Sequence, residues 1–227
     1  MTHHTPRHTG LGIAIGFFSL AVVAMTAPEA TAQTGAHTNV SFAVAGGLNA
    51  AHLPLPPGSF EATGVNVNNG TRVGFIGGLL VDAGAPRGVG FTTGALVSGR
   101  GGAMELTVPG EGTGQLDFRM IYLDIPALAR VPLAASGNCR FGALAGATIG
   151  TKLHARTRAT FNGQSEDQTF TDDLPAMDFG LTFGGRADFG RGLAQVTYNF
   201  GLTDTTKGDG PKPVRHRVLS GMVGWRF

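Results

Sequence analysis

The stretch His216 to Phe227 reads HRVLSGMVGWRF, and its alternation limits the fold more than any other feature of the chain. Leu219, Gly221, Val223, Trp225 and Phe227 share one face at period two; His216, Val218, Ser220, Met222, Gly224 and Arg226 share the other. One face is greasy and ends in two aromatic rings, whereas the other is small or polar. Rings so placed suit a bilayer boundary better than water. A single such strand cannot live in lipid, because its unpaired N–H and C=O groups would have no water to bond, so the rest of the chain must supply partners that close a sheet.

The sequence supplies them. Windows of the length that a tilted strand needs to cross the hydrocarbon recur along the chain, making eight with the last. The first sets Val40, Phe42, Val44, Gly46 and Leu48 against Asn39, Ser41, Ala43, Ala45, Gly47 and Asn49. The second and third place Val73 to Val81 and Val89 to Val97 on greasy faces, with Arg72, Asp82 and Arg100 opposite. The fourth runs from about Asp117 to Leu133, and Pro126, which lacks an N–H, predicts a bulge or bend there. The fifth alternates from Phe141 to Lys152, the sixth from Met177 to Arg186 and the seventh from Ala194 to Thr203. Short links are expected at Ala83–Gly88, Ala134–Asn138 and Gly190–Gly192, and long ones at Ala50–Asn69, Gly101–Gln115, between Leu153 and Pro175, and at Asp204–Pro213. That alternation of lengths is the signature of an outer-membrane barrel with short periplasmic turns and long outer loops.

Composition narrows the alternatives. Only 14% of residues are charged and 37 are glycine, against about 25% charge and about 7% Gly in an ordinary soluble domain. The glycines follow no collagen-like triplet, so they read as strand and turn residues. A net charge of +2 without a Lys/Arg cluster gives nucleic-acid binding no support. Cys139 stands alone, which excludes an intramolecular disulfide and a cysteine-based metal cage; no cofactor is implied.

Residues 1–32 have the order of a secretory signal peptide: Arg7 and three histidines, the apolar run Leu11–Ala27, then the small residues Ala30, Thr31 and Ala32. Cleavage there leaves residues 33–227 as one barrel domain and removes His3, His4 and His8. The fold class expected is all-β: an eight-stranded antiparallel up-and-down transmembrane β-barrel after a cleaved signal peptide.

The segment Tyr122–Pro126 (YLDIP) followed by Ala127–Leu133, the phrase Tyr198–Asp204 (YNFGLTD) and the ending Leu219–Phe227 together resemble the PorT-like, or porin-family, outer-membrane β-barrel domain. Asp124 stands where that family's motif usually carries Glu. The resemblance implies a barrel of OmpA/OmpX size in the outer membrane of a Gram-negative bacterium, usually with no assigned activity. It also implies that Phe227 and its alternating neighbours are read by the outer-membrane assembly machinery.

An eight-stranded barrel is just wide enough for side chains to fill. The inward set Arg72, Arg100, Asp124, Lys152, Asp178, Arg186, Asp188 and Arg226 therefore predicts a salt-bridged lumen, since buried charges require partners. Tyr198, Trp225 and Phe227 are expected at the membrane interface. The function expected is structural or surface-interacting, by a monomer in contact with outer-membrane lipid. A narrow pore for ions or small solutes is the alternative. A lipid A-modifying enzyme is a further one, but no catalytic set is evident: His216 and Ser220 lie four residues apart on one strand, about 13 Å at roughly 3.3 Å per residue. His154, Ser165, Glu166 and Asp167 could meet only by loop folding. Loop residues Leu53–Pro57 form a stiff apolar tip, and Glu166, Asp167, Asp172 and Asp173 an acidic patch without EF-hand spacing. A soluble lipid-binding calyx would instead keep apolar residues inside and polar ones outside.

Overall fold

The structure is a computed structural model that describes residues 39–52, 66–85, 88–108, 112–161, 164–169, 176–203 and 215–227. The signal segment 1–32, the tip Leu53–Pro57, the acids Asp172 and Asp173, and the connection at Asp204–Pro213 lie outside the described residues.

The described chain is built of antiparallel strands: β1 (Asn39–His52), β2 (Asn66–Gly84), β3 (Gly90–Val108), β4 (Gly112–Ser136), β5 (Cys139–Phe161), β6 (Gln164–Thr169), β7 (Met177–Phe189), β8 (Gly192–Gly201) and β9 (Arg217–Arg226). Pairing passes from β1 through β2, β3, β4 and β5 to β7, β8 and β9, and β9 pairs back with β1. The circuit has no free edge along it, which meets the demand that an apolar surround places on a sheet. β6 stands outside the circuit and pairs with β5 alone among the described strands.

The wall is inside out by the standard of a soluble protein. Along β9 the burial alternates residue by residue, with Leu219, Val223, Trp225 and Phe227 outward and Val218, Ser220 and Met222 inward. The same outward face carries Val40, Phe42 and Leu48 on β1 and Phe179, Leu181 and Phe183 on β7, all exposed. This arrangement rules against the calyx, whose apolar face would point inward.

Two features depart from the expected windows. The Gly101–Gln115 segment is strand over most of its length, because β3 and β4 stay paired as far as Val108 and Gly112. Likewise β5 continues past Leu153 to Phe161 and turns into β6. A hairpin that rises beyond an apolar belt needs no greasy outer face, so QSEDQT and its neighbours carry no period-two apolar signal. At Pro126 the β3–β4 ladder is interrupted, passing from Thr93–Ala127 to Leu96–Asp124, but no register shift falls there: Pro126 pairs with Thr148 on β5, and the β4–β5 register shifts lie at Ile121/Tyr122 and Pro132/Ala134.

Candidate functional site

The lumen holds two charged clusters separated by an apolar belt. Along β2 and β3 the order is explicit in the register: Asp82 faces Thr92, then Leu80 faces Gly94, Gly78 faces Leu96, and Ile76 faces Ser98, two residues from Arg100. Leu80, Leu96 and Ile76 pack with Ala43, Ala45, Leu193 and Met222 into one buried cluster. An apolar layer inside the lumen was not expected from the sequence, which marks these residues only as belonging to the polar face. Gly78 and Gly94 stand opposite Leu96 and Leu80, and a Cβ at either glycine would run into the backbone of the neighbouring strand.

The cluster at the short-turn end is centred on Asp82 and Asp188. Arg186 donates to both oxygens of Asp82 at 2.9 and 2.6 Å and to Asp188 Oδ1 at 2.9 Å. Arg226 reaches Asp188 Oδ1 at 2.5 Å, and Thr92 donates to Asp82 at 2.7 Å. Arg130 stands further off, 4.0 Å from Asp82 and 3.9 Å from Asp188. Fully buried guanidinium and carboxylate groups are tolerated only with such bidentate, hydrogen-bonded partners.

The second cluster is organised by Arg100. Its guanidinium bridges Asp124 at 2.6 Å and Asp178 at 3.1 Å, and lies 4.9 Å from the centre of the Tyr122 ring. Ser98 donates to Asp124 Oδ2 at 2.5 Å. The Tyr122 ring meets His216 edge-on at 6.3 Å between centres, a favoured aromatic geometry. Lys152 is buried on β5, opposite Tyr122 in the register. Between this cluster and the apolar belt lies a cavity of about 40 Å³, bordered by Asn49, Asp124, Thr148, Gln195 and Asn199. Ile76, Leu96, Leu128 and Met222 border it as well, and a space that small has no room for a solute.

Arg72 belongs to neither cluster. It pairs with Asp117, which also accepts from Arg119 at 2.9 Å. Both members are partly exposed, as is Arg226, whereas Arg100, Asp124, Lys152, Asp178, Arg186 and Asp188 are buried. Burial alone would push the Asp117 carboxyl up, but the hydrogen bonds from Arg72 and Arg119 outweigh it and hold Asp117 below its ordinary value.

Sequence reasoning overlooked Asp82, Arg130 and Tyr122 as organising residues. Asp82 and Tyr122 sit on the inward phase of their own windows, and Arg130 follows Asp124 at even spacing, so the parity that identified Asp124 could have found all three. Their partners could not be read, because strand parity says nothing of which residues face each other across the lumen.

The loop constellation does not assemble. Ile121 pairs with His154, whereas Glu166 pairs with Ala159; the two levels on β5 are about 16 Å apart at roughly 3.3 Å per residue. Ser165 is engaged with Thr160 at 2.9 Å, and Asp167 with Arg158 at 2.7 and 2.9 Å. Among the described residues no group of three or more His, Cys, Asp or Glu could hold a metal ion. Of the three aromatics expected at an interface, Trp225 and Phe227 are exposed, while Tyr198 is half-buried with its ring 5.6 Å from that of Phe183.

No curated protein sequence matches the chain. Among solved structures, Ail, the attachment invasion locus protein of Yersinia pestis, is similar over 82% of this chain and 98% of its own, at 13% identity and a TM-score of 0.38. Neisserial surface protein A is similar over 83% of this chain and 99% of its own, at 14% identity and a TM-score of 0.41. A family model described as the outer membrane protein beta-barrel domain matches residues 31–207. That span takes in β1 to β8 and most of the charged lumen, and the chain belongs to this family of outer-membrane β-barrel domains.

Proposed function

We propose that the chain is an integral outer-membrane barrel that crosses the bilayer with eight strands, β6 being an outer annex, and that it acts as a structural or surface-interacting protein and not as a catalyst or a channel. The observation that carries this reading is the lumen itself. Two Arg–Asp clusters and the apolar belt between them occupy the cross-section, with a cavity of about 40 Å³ at mid-height. Solute passage would require breaking ion pairs that are buried and hydrogen-bonded, at a cost of several kcal/mol each.

Within this reading residues 1–32 are the exported signal, and the narrower kinship is with the PorT-like, porin-family barrels. The short turns face the periplasm, and the β3–β4 and β5–β6 hairpins rise outside. Those hairpins are the natural contact surface, because they carry Glu105, Arg119, Arg158 and Asp167 clear of the apolar wall. Trp225 and Phe227 lie at the inner interface, and the C-terminal strand is the element read by the assembly machinery. Planar-bilayer recording of the purified protein tests the closed lumen: no conductance steps above background are expected. Steady unitary steps, enlarged by an Arg100→Ala substitution, would instead establish the narrow pore.

A further inference from the structure

The short-turn mouth of the barrel opens into a cavity of about 530 Å³ bordered by Arg130, Arg140, Arg226, Asp82 and Asp188. With Arg186 behind them, the guanidinium groups of Arg130, Arg186 and Arg226 stand against the two carboxylates of Asp82 and Asp188, so this ion-paired group carries a formal surplus of one positive charge. Arg130 is the loosest of the set, near 4 Å from both acids, and its side chain is partly exposed. It can turn toward an anion without dismantling the Arg186–Asp82 pair. One rim of the same cavity is apolar: Leu133 and Phe141 border it and are exposed.

Leu133, Phe141 and Gly142 also border a second cavity, a groove of about 930 Å³ on the lipid-facing wall. The groove exists because glycine or alanine enters each of a series of pairs across four strands, β1, β9, β8 and β7. Gly46 pairs with Val223, Leu48 with Gly221, Gly221 with Val196, Val196 with Gly185, and Ala194 with Ala187. A Cβ added at Gly221 would meet nothing within 4 Å, and one at Gly185 nothing nearer than 3.9 Å, so both face open space. The basic pocket and the apolar groove on the membrane side thus share one border, at Leu133, Phe141 and Gly142.

We infer that this surface is a binding site for an anionic phospholipid, with the phosphodiester at Arg130 and an acyl chain along Leu133 and Phe141 into the glycine groove. The inference rests on the membrane-barrel reading and adds to it a lipid class and a location. Charge complementarity selects the head group, and the shared rim selects an amphiphile over a free anion.

The test is native mass spectrometry of the protein extracted from outer membranes into a neutral detergent, with phosphatidylglycerol or phosphatidylcholine of equal chain length added. One phosphatidylglycerol is expected to be retained in preference to phosphatidylcholine by about fivefold, the weight of one basic residue near an anionic lipid surface. Arg130→Gln should abolish that preference and Arg130→Lys should keep it. Gly221→Leu, which fills the groove without touching a charge, should weaken retention of both lipids. Equal retention of the two lipids, indifference to Arg130→Gln, or displacement of phosphatidylglycerol by inorganic phosphate alone would each overturn the lipid site. The same samples are run unheated and boiled on a denaturing gel; loss of the heat-dependent mobility shift in the unmodified protein would overturn the barrel reading itself, a distinct result.

Discussion

Arg186 and Asp82, 104 positions apart, are joined by two hydrogen bonds of 2.9 and 2.6 Å across the inside of the barrel. Neither residue is adjacent to the other through the sheet: Asp82 on β2 pairs with Ser41 and Thr92, and Arg186 on β7 with Gly142 and Gln195. The contact spans the lumen, so it ties opposite walls together and fixes the cross-section.

Arg186→Met leaves Asp82 and Asp188 short of their principal donor. Removing one partner of a buried pair costs about 3–5 kcal/mol. The expected outcome is a lower urea midpoint for the folded protein in detergent. An Asp82→Asn/Arg186→Met double variant should lose less than the sum of the two single changes, because the second substitution removes the charge that the first one stranded.

Two glycines on paired strands should respond in opposite ways. A Cβ at Gly47 would overlap the carbonyl oxygen of Gly221 on the neighbouring strand, whereas one at Gly221 meets open space. Gly47→Val should therefore destabilise the barrel by about 1–3 kcal/mol through forced backbone movement. Gly221→Val should leave the unfolding midpoint near that of the unmodified protein. Equal losses at both positions would contradict the assigned faces of β1 and β9.

The outer annex has its own pH dependence. The hydrogen bonds from Arg158 hold the Asp167 carboxyl below its ordinary value of 3.8. A depressed folded pKa means that the contribution of the pair is fully present above that ordinary value and is lost as pH falls through the folded one. An NMR titration of the Asp167 carboxyl carbon should find its midpoint below 3.8. Arg158→Gln should move it upward, with the barrel strands unaffected. Both groups are exposed, so the effect is local to β5 and β6.

At the far end, Phe227 donates its backbone N–H to Phe42 at 3.0 Å, and Trp225 pairs with Val44, so the last residues seal β9 against β1. Deleting Phe227 removes that closing contact together with the terminal aromatic. Outer-membrane levels of the truncated protein should fall well below those of the unmodified one, by immunoblot of fractionated cells. Unchanged levels would remove the assembly role given to the C-terminal strand.

The strand content was legible because lipid imposes a strict rule: each crossing strand must alternate, so Phe179, Leu181 and Phe183 declared their face without any knowledge of neighbours. The rule stops where the lipid stops. β6 and the upper parts of β3, β4 and β5 are held by pairing and by polar contacts such as Arg158–Asp167, which leave no periodic apolar trace. For the same reason His154 could be imagined beside Glu166 until the β5–β6 register separated them.

What the sequence determined by itself was the alternation along each strand; the side of it that the fold buries holds Arg100, Asp124, Asp178, Arg186 and Asp188. Only the tertiary structure decided who meets whom: that Arg186 takes Asp82, that Arg100 joins Asp124 and Asp178, that Arg72 leaves the lumen set for Asp117, and that Leu80, Leu96 and Met222 divide the two clusters. Parity along a strand is a local property of the extended backbone. Contact across a barrel depends on strand stagger and closure, which are fixed by the whole sheet at once.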